Sequence, residues 1–297
     1  MKAKLIIGMA ISGMALNFSA QTDTIAPIKA LNACEVNVLL GGYFQPIQYG
    51  SIAEFQKLAP GSELLKADFT GYNQYNDYIS SVNSMFAVNV GFRFGNANRT
   101  AYKKSPLLRL GFSYFSTTDL ANNLSQTRTF RSDTLVSTNN GQVYYVDSTI
   151  YRSYNMRHTS DQLRLDVSLI YRTDPKARWQ FYGGLGLTAG ASLKSYTTID
   201  YVVGSNIEST NYYFYPIYTD QVSDYKNEYF RNSADIGLSA YVPLGLDFRM
   251  GKKRPFWKRT HLFYELRPGA SFSSIGDLSS FGNISVQQGL GIKVNWE

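Results

Sequence analysis

Residues 236–251 alternate without a break. Ile236, Leu238, Ala240, Val242, Leu244, Leu246, Phe248 and Met250 are apolar, and the residues between them are mostly small, polar or charged. A period of two places the two sets on opposite faces of an extended chain, so the segment predicts a strand with one apolar and one polar face. The same alternation returns over 36–44, 86–94, 108–114, 163–171, 179–193, 262–272 and 286–296. With the first segment these predict about eight strands and an all-β fold.

The connections alternate in length. Long segments (45–83, 119–160, 204–232) follow one set of strands, and shorter links (95–105, 173–177, 251–259) follow the other, with 274–282 completing the set. Strands running up and down would collect the long loops at one end and the short turns at the other. Within the first long loop, "SIAEFQKLA" has a helical pattern.

The apolar face could meet lipid or, as in a soluble carrier, an internal ligand. The polar face is rich in glycine, including Gly41, Gly91, Gly111, Gly184, Gly186, Gly190, Gly237, Gly245, Gly289 and Gly291, which suits a crowded narrow interior. Aromatic residues gather near the ends of the apolar face: Phe94, Tyr171, Trp179, Phe181, Phe248, Tyr264 and Trp296 at the turn end, and Phe44, Phe86, Tyr114 and Phe272 at the loop end. Two such girdles mark the interfaces of a membrane barrel. Charges keep to the polar parity: Glu35, Arg93, Arg109, Arg164, Asp166, Asp247, Arg249, Glu265, Arg267 and Lys293. A narrow barrel holds little beyond side chains, so these charges are expected to pair inside it as a plug. The fold expected is an up-and-down antiparallel transmembrane β-barrel, with long extracellular loops and short periplasmic turns.

The N-terminus has a basic start (Lys2, Lys4), an apolar run from Leu5 to Leu16 and small residues at Ser19 and Ala20. It reads as a cleaved secretory signal over 1–20, followed by a linker over 21–33 and the barrel over 34–297. No other segment is apolar for long enough to make a membrane helix. Cys34 is the single cysteine, which excludes an internal disulfide, and no apolar run precedes "LNAC" to make it a lipidation site.

On these strands, loops and girdles the chain resembles the small outer-membrane β-barrel proteins of Gram-negative bacteria. The likeness is to OmpA/OmpX-like eight-stranded barrels and, most of all, to the Bacteroidota outer-membrane families. The resemblance implies an integral outer-membrane protein surrounded by outer-membrane lipid, in a group of which a few members serve protein secretion. "QQGLGIKVNW" near the C-terminus is similar, through Gln287, Gly289, Ile292 and Val294, to the signal that the barrel-assembly machinery recognises in a last strand. The usual terminal Phe is absent, since Trp296 and Glu297 end the chain.

Candidate chemistry is sparse. The sequence has two histidines and no metal-ligand cluster, and neither a metal nor a cofactor is expected. "GLGLTAG" (184–190) mimics a nucleotide fingerprint, but strand alternation runs through it and no helix follows. His158 and Ser160 are spaced like the His-x-Ser motif of barrel-type lipid A deacylases, with Asp200 a possible third member. A serine nucleophile needs a base in hydrogen-bond reach and an acid behind that base. Both residues share the inward parity, whereas a lipid substrate needs an outward site, so catalysis is not expected.

The loops carry the remaining signal. In the third, Tyr212, Tyr213, Phe214, Tyr215, Tyr218, Tyr225 and Tyr229 are denser than a solvated loop requires, and tyrosine marks binding surfaces. The net charge is +7, with Lys103, Lys104, Lys176, Lys252, Lys253, Arg254, Lys258 and Arg259 crowding the short turns. A basic rim suits anionic lipid or an acidic partner; nucleic acid is not expected of an exported chain. The function expected is non-catalytic binding of a protein, glycan or lipid through the loops or turns, with an envelope or secretion assembly as one candidate setting. The alternatives are a narrow channel or small-solute transporter, a lipid A-modifying enzyme and a secreted soluble carrier.

Overall fold

The computed structural model describes residues 31–75, 83–94, 106–136, 138–174, 177–209, 221–251, 253–276 and 278–296. Its strands are β1 (Leu31–Phe44), β2 (Gln48–Tyr49), β3 (Asn73–Gln74), β4 (Asn83–Phe94), β5 (Leu107–Val136), β6 (Val143–Arg172), β7 (Trp179–Ser209), β8 (Gln221–Arg231), β9 (Ile236–Tyr241), β10 (Leu244–Arg249), β11 (Thr260–Ser274) and β12 (Phe281–Asn295). Two short helices, α1 (Ile52–Leu58) and α2 (Pro255–Arg259), complete it with a 3-10 turn at Leu64–Lys66. β1 pairs with β12 and β4, β4 with β5, β5 with β6, and β6 with β7. β7 pairs with both β9 and β10, which pair with β11, and β11 returns to β12. The ring is closed and antiparallel, which leaves its wall no free edge at that level.

The sheet has twelve strands where about eight were expected. β9 and β10 are one predicted strand, 236–251, interrupted at Val242 and Pro243, because proline has no N–H to give the ladder. β2 and β3 are two-residue additions to β5, and among the described residues β8 pairs with β7 alone. β1 begins at Leu31, inside the stretch expected to be linker.

The alternation sets the faces. Leu40, Leu185 and Leu290 are 62, 70 and 69% exposed, while Glu35, Asn37, Asn89, Arg109 and Gln287 on the other parity are buried. Apolar residues line the outside, and the inside combines these polar residues with a buried apolar cluster that includes Leu39, Met85, Leu107, Phe115 and Ile170; an apolar outer wall is the architecture of a transmembrane β-barrel. No helix among the described residues is long and apolar enough to cross a membrane.

The second long loop, expected over 119–160, is instead strand: β5 and β6 are 30 residues each and β7 is 31. β5 to β8 therefore rise beyond the barrel as a sheet, at what is here called the upper end. Two bulges mark the transition. One falls in β5 between Thr118 and Leu120, the other in β7 between Ser192 and Lys194. Each extra residue flips the inward parity of its strand, so that Leu120, Asn122 and Leu124 replace odd-numbered residues on the inner face. That flip hid the strands from a reading by period.

Residues 45–75 fold over the barrel mouth as a lid. Ser51 caps α1 through a capping box with Glu54. Phe55, Leu58 and Leu65 bury against Leu120, Leu124, Tyr154, Met156 and Ile199 on the inner face of the sheet, and against Ile275. Each full burial of this kind contributes about 1.5–3 kcal/mol relative to exposure. Glu228 of β8 ties the lid down: it accepts from the Glu63 and Leu64 N–H groups at 3.1 and 3.3 Å and from the Ser62 hydroxyl.

Candidate functional site

The lower lumen holds a connected set of charges. Glu35 meets Arg109 at 3.1 Å, Arg172 at 3.0 Å and Lys293 at 4.0 Å. Arg109 continues to Glu265 (2.8 Å), which also meets Arg267 (2.5 Å), and Arg267 reaches Asp166 at 2.9 Å. Lys293 pairs with Asp247, whose other oxygen faces His261 at 2.7 Å. All of these side chains are buried, and such charges persist in a low-dielectric interior only when paired.

Of the charges expected in the lumen, Arg164 stands apart from this chain of pairs. Arg164 donates to Gln162 (2.9 and 2.6 Å) and Ser239 (2.8 Å), neutral partners in place of Asp166. Arg93 and Arg249 are only partly buried. Arg172, His261, Tyr182 and Tyr241 belong to the network and were missed. Inward parity could have found them, since each falls in step with residues already assigned to the lumen.

The two tyrosines depend on glycines. Tyr241 lies opposite Gly186 and Tyr182 opposite Gly245, and a Cβ at either glycine would fall inside the facing ring. Each ring lies flat across the glycine, which lets the hydroxyl donate to Asp166 from Tyr241 and to Glu265 from Tyr182.

Above the network the lumen is lined by hydroxyl, amide and imidazole groups gathered around Asp119 and Asp235. His158 and Ser160 are both fully buried, but they do not form a nucleophile–base pair. Ser160 donates to Asp119 (3.0 Å) and accepts from Gln162 (2.7 Å). His158 Nε2 faces Asp235 at 2.9 Å and Ser195 at 3.2 Å, and its Nδ1 faces Thr197 at 3.1 Å. Ser195 itself donates to Asp235 at 2.8 Å, so acid and hydroxyl crowd one ring nitrogen and no acid stands behind the base. Asp200 accepts from Tyr225 and Asn227 on the far side of the sheet and does not join them.

The expected girdle residues Phe94, Tyr171, Trp179, Phe181 and Trp296 are exposed on the outer wall, and Phe248 packs on Trp179 with ring centroids 4.6 Å apart. Of the Tyr-rich third loop, Tyr212, Tyr213, Phe214, Tyr215 and Tyr218 lie outside the described residues. Tyr225 and Tyr229 stand exposed on β8, with Tyr229 stacked on Tyr196 at 5.1 Å. The hydrogen bond to Asp200 holds the Tyr225 hydroxyl above its ordinary pKa. At the lower end, α2 presents exposed Phe256 and Trp257 between Lys253, Arg254, Lys258 and Arg259. Lys103, Lys104, Lys176 and Lys252 lie outside the described residues. In β12, Gln287 and Gly289 point inward, and Ile292 outward.

No protein-family model matches the chain, and a search of curated proteins finds no match. Among solved structures it is similar to Neisserial surface protein A, at 11% identity over 90% of this chain and 99% of that one, with a TM-score of 0.31. It is also similar to Ail, the attachment invasion locus protein of Yersinia pestis in complex with the heparin analogue sucrose octasulfate. That match has 12% identity over 89% of this chain and 100% of the other, with a TM-score of 0.21. Superpositions this loose carry no argument; the barrel stands on its own strand pairing.

Proposed function

We propose that the chain is an integral barrel of the Gram-negative outer membrane that serves as a non-catalytic binding platform on the cell surface. One observation carries this reading: β5, β6 and β7 run to 30 or 31 residues, where about 9–11 cross a bilayer. The excess forms a sheet with its own apolar core and an exposed face bearing Tyr225 and Tyr229. The short turns then face the periplasm, where the aromatic and basic residues of α2 suit an anionic lipid surface. Arg164, Arg267, Lys293, Tyr43 and Phe115 are fully buried and fill the lumen, which favours a platform over a channel. The His158–Ser160 geometry supports no catalytic role. The cleaved signal over 1–20, and use of the last strand by the barrel-assembly machinery, belong to the same proposal.

The test combines topology with conductance. A membrane-impermeant thiol reagent should label an Asn140→Cys variant in intact cells and leave a Lys258→Cys variant unlabelled. The purified chain should give no conductance steps in planar bilayers. A variant with 127–151 replaced by an Asn-Gly turn should keep the heat-modifiable barrel and lose binding on protein and glycan arrays. Fractionation as a soluble protein, or steady conductance, would overturn the proposal.

A further inference from the structure

Between the lid and the inner face of the upper sheet lies a cleft of about 590 Å³, lined by Gly71, Gln126, Arg128, Phe130, Ile150 and Arg152 among others. The register sets Gln126 opposite Arg152 and Arg128 opposite Ile150, so the two arginines are diagonal neighbours on one face. Like charges at that spacing repel unless something answers them. Among the described residues nothing does: Arg152 Nη1 makes one long bond, 3.4 Å, to Gln126, and Arg128 makes no hydrogen bond or ion pair. Arg131, further along the same hairpin, differs. It meets Asp147 at 3.3 Å and lies 3.8 Å over the Tyr145 ring.

The rest of the cleft is shaped for more than a bare ion. Phe130, 42% exposed, and Ile150 give it an apolar wall beside the cations. Gly71, at φ +80°, turns the lid backbone in so that a Cβ there would press on the Gln126 amide at 3.1 Å. The volume falls in the range of about 300–1,000 Å³ typical of small-molecule sites. Guanidinium forks bind planar or tetrahedral oxyanions through paired hydrogen bonds, and apolar walls take the C–H face of a sugar ring.

We propose that this cleft binds an anionic sugar, its carboxylate, sulfate or phosphate group held between Arg128 and Arg152 and its ring against Phe130 and Ile150. The proposal rests on the reading of the upper sheet as a cell-surface platform. The full chain in detergent is titrated with labelled dextran sulfate, uncharged dextran and polyglutamate. Dextran sulfate should bind, more weakly as salt is raised, and uncharged dextran should not. A doubly substituted Arg128→Gln, Arg152→Gln chain should lose about tenfold or more in affinity, while Arg131→Gln binds as the parent does. Lipopolysaccharide in proteoliposomes competes with dextran sulfate if the group is a phosphate of the cell's own surface sugars. It leaves the binding unchanged if the sugar is soluble, and either result keeps the assignment.

Undiminished binding by the doubly substituted chain, with its heat-modifiable shift intact, overturns the proposal. So does displacement by polyglutamate at equal potency, which would point to an acidic protein. If the parent binds none of the probes but array binding still depends on the hairpin, the sugar site fails and the platform stands. If hairpin dependence is absent as well, the platform itself falls.

Discussion

The arginines of the lower lumen and those of the upper cleft sit in opposite circumstances. Arg109, Arg172 and Arg267 are buried, and each meets a carboxylate within 3.1 Å. Arg128 and Arg152 are exposed and meet none among the described residues. A buried cation without a partner would cost far more than the fold can offset, so these three meet carboxylates, while Arg164, as deeply buried, is held by the neutral oxygens of Gln162 and Ser239. At the surface water tolerates an unanswered charge, and the cation stays available to a ligand. The lower half is built to stay closed, and the upper half leaves two guanidinium groups without a carboxylate among the described residues.

The contrast is broken most directly at Glu265, which holds Arg109, Arg267 and Tyr182 together. Glu265→Ala should take from each of the buried Arg109 and Arg267 one of the two carboxylates it meets and destabilise the barrel by about 3–5 kcal/mol. The loss would appear as a fallen melting temperature and a weakened heat-modifiable band. Next in size is Gly245→Val. Its side chain would meet the Tyr182 ring and cost about 1–3 kcal/mol of overpacking, measured by the same shift.

Glu228→Ala should act on the upper half alone. It removes the anchor of Ser62, Glu63 and Leu64 at about 1–3 kcal/mol, so limited proteolysis should cut within 45–75 while the barrel melts unchanged.

The smallest effect is one of pH. Burial against the lid, with Tyr72 and Tyr201 beside it, pushes the Tyr154 hydroxyl up to about 12. A pKa raised in the folded state means that its contribution is whole below the ordinary tyrosine value near 10 and is lost as pH rises through about 12. The lid should therefore loosen in that window, seen as increased proteolysis of 45–75, and Tyr154→Phe should remove this part of the response.

The wall was legible because lipid on one side and a crowded lumen on the other hold a strict period of two from Val36 to Leu40 or from Leu163 to Tyr171. The same parity located the paired charges Glu35, Arg109, Glu265, Arg267 and Lys293. It failed above Thr118 for two physical reasons. The bulges invert it, and a sheet with water on one face and a lid on the other needs no apolar row outside. Ser125, Thr127 and Thr129 therefore read as loop. The partners of His158 were illegible for another reason: Asp235 reaches it from 77 residues away, across a register that no local pattern records.

The lid has a consequence for the order in which the molecule matures. Its residues precede β4 in the chain, yet Ser62 bonds to Glu228 across 166 positions, Leu58 to Asn232 across 174, and Pro46 to Asn283 across 237. Contacts so distant in sequence wait on closure of everything between them. The bonds that tie the segment down at Pro46, Leu58 and Ser62 can therefore form only once β8 and β12 have found their places.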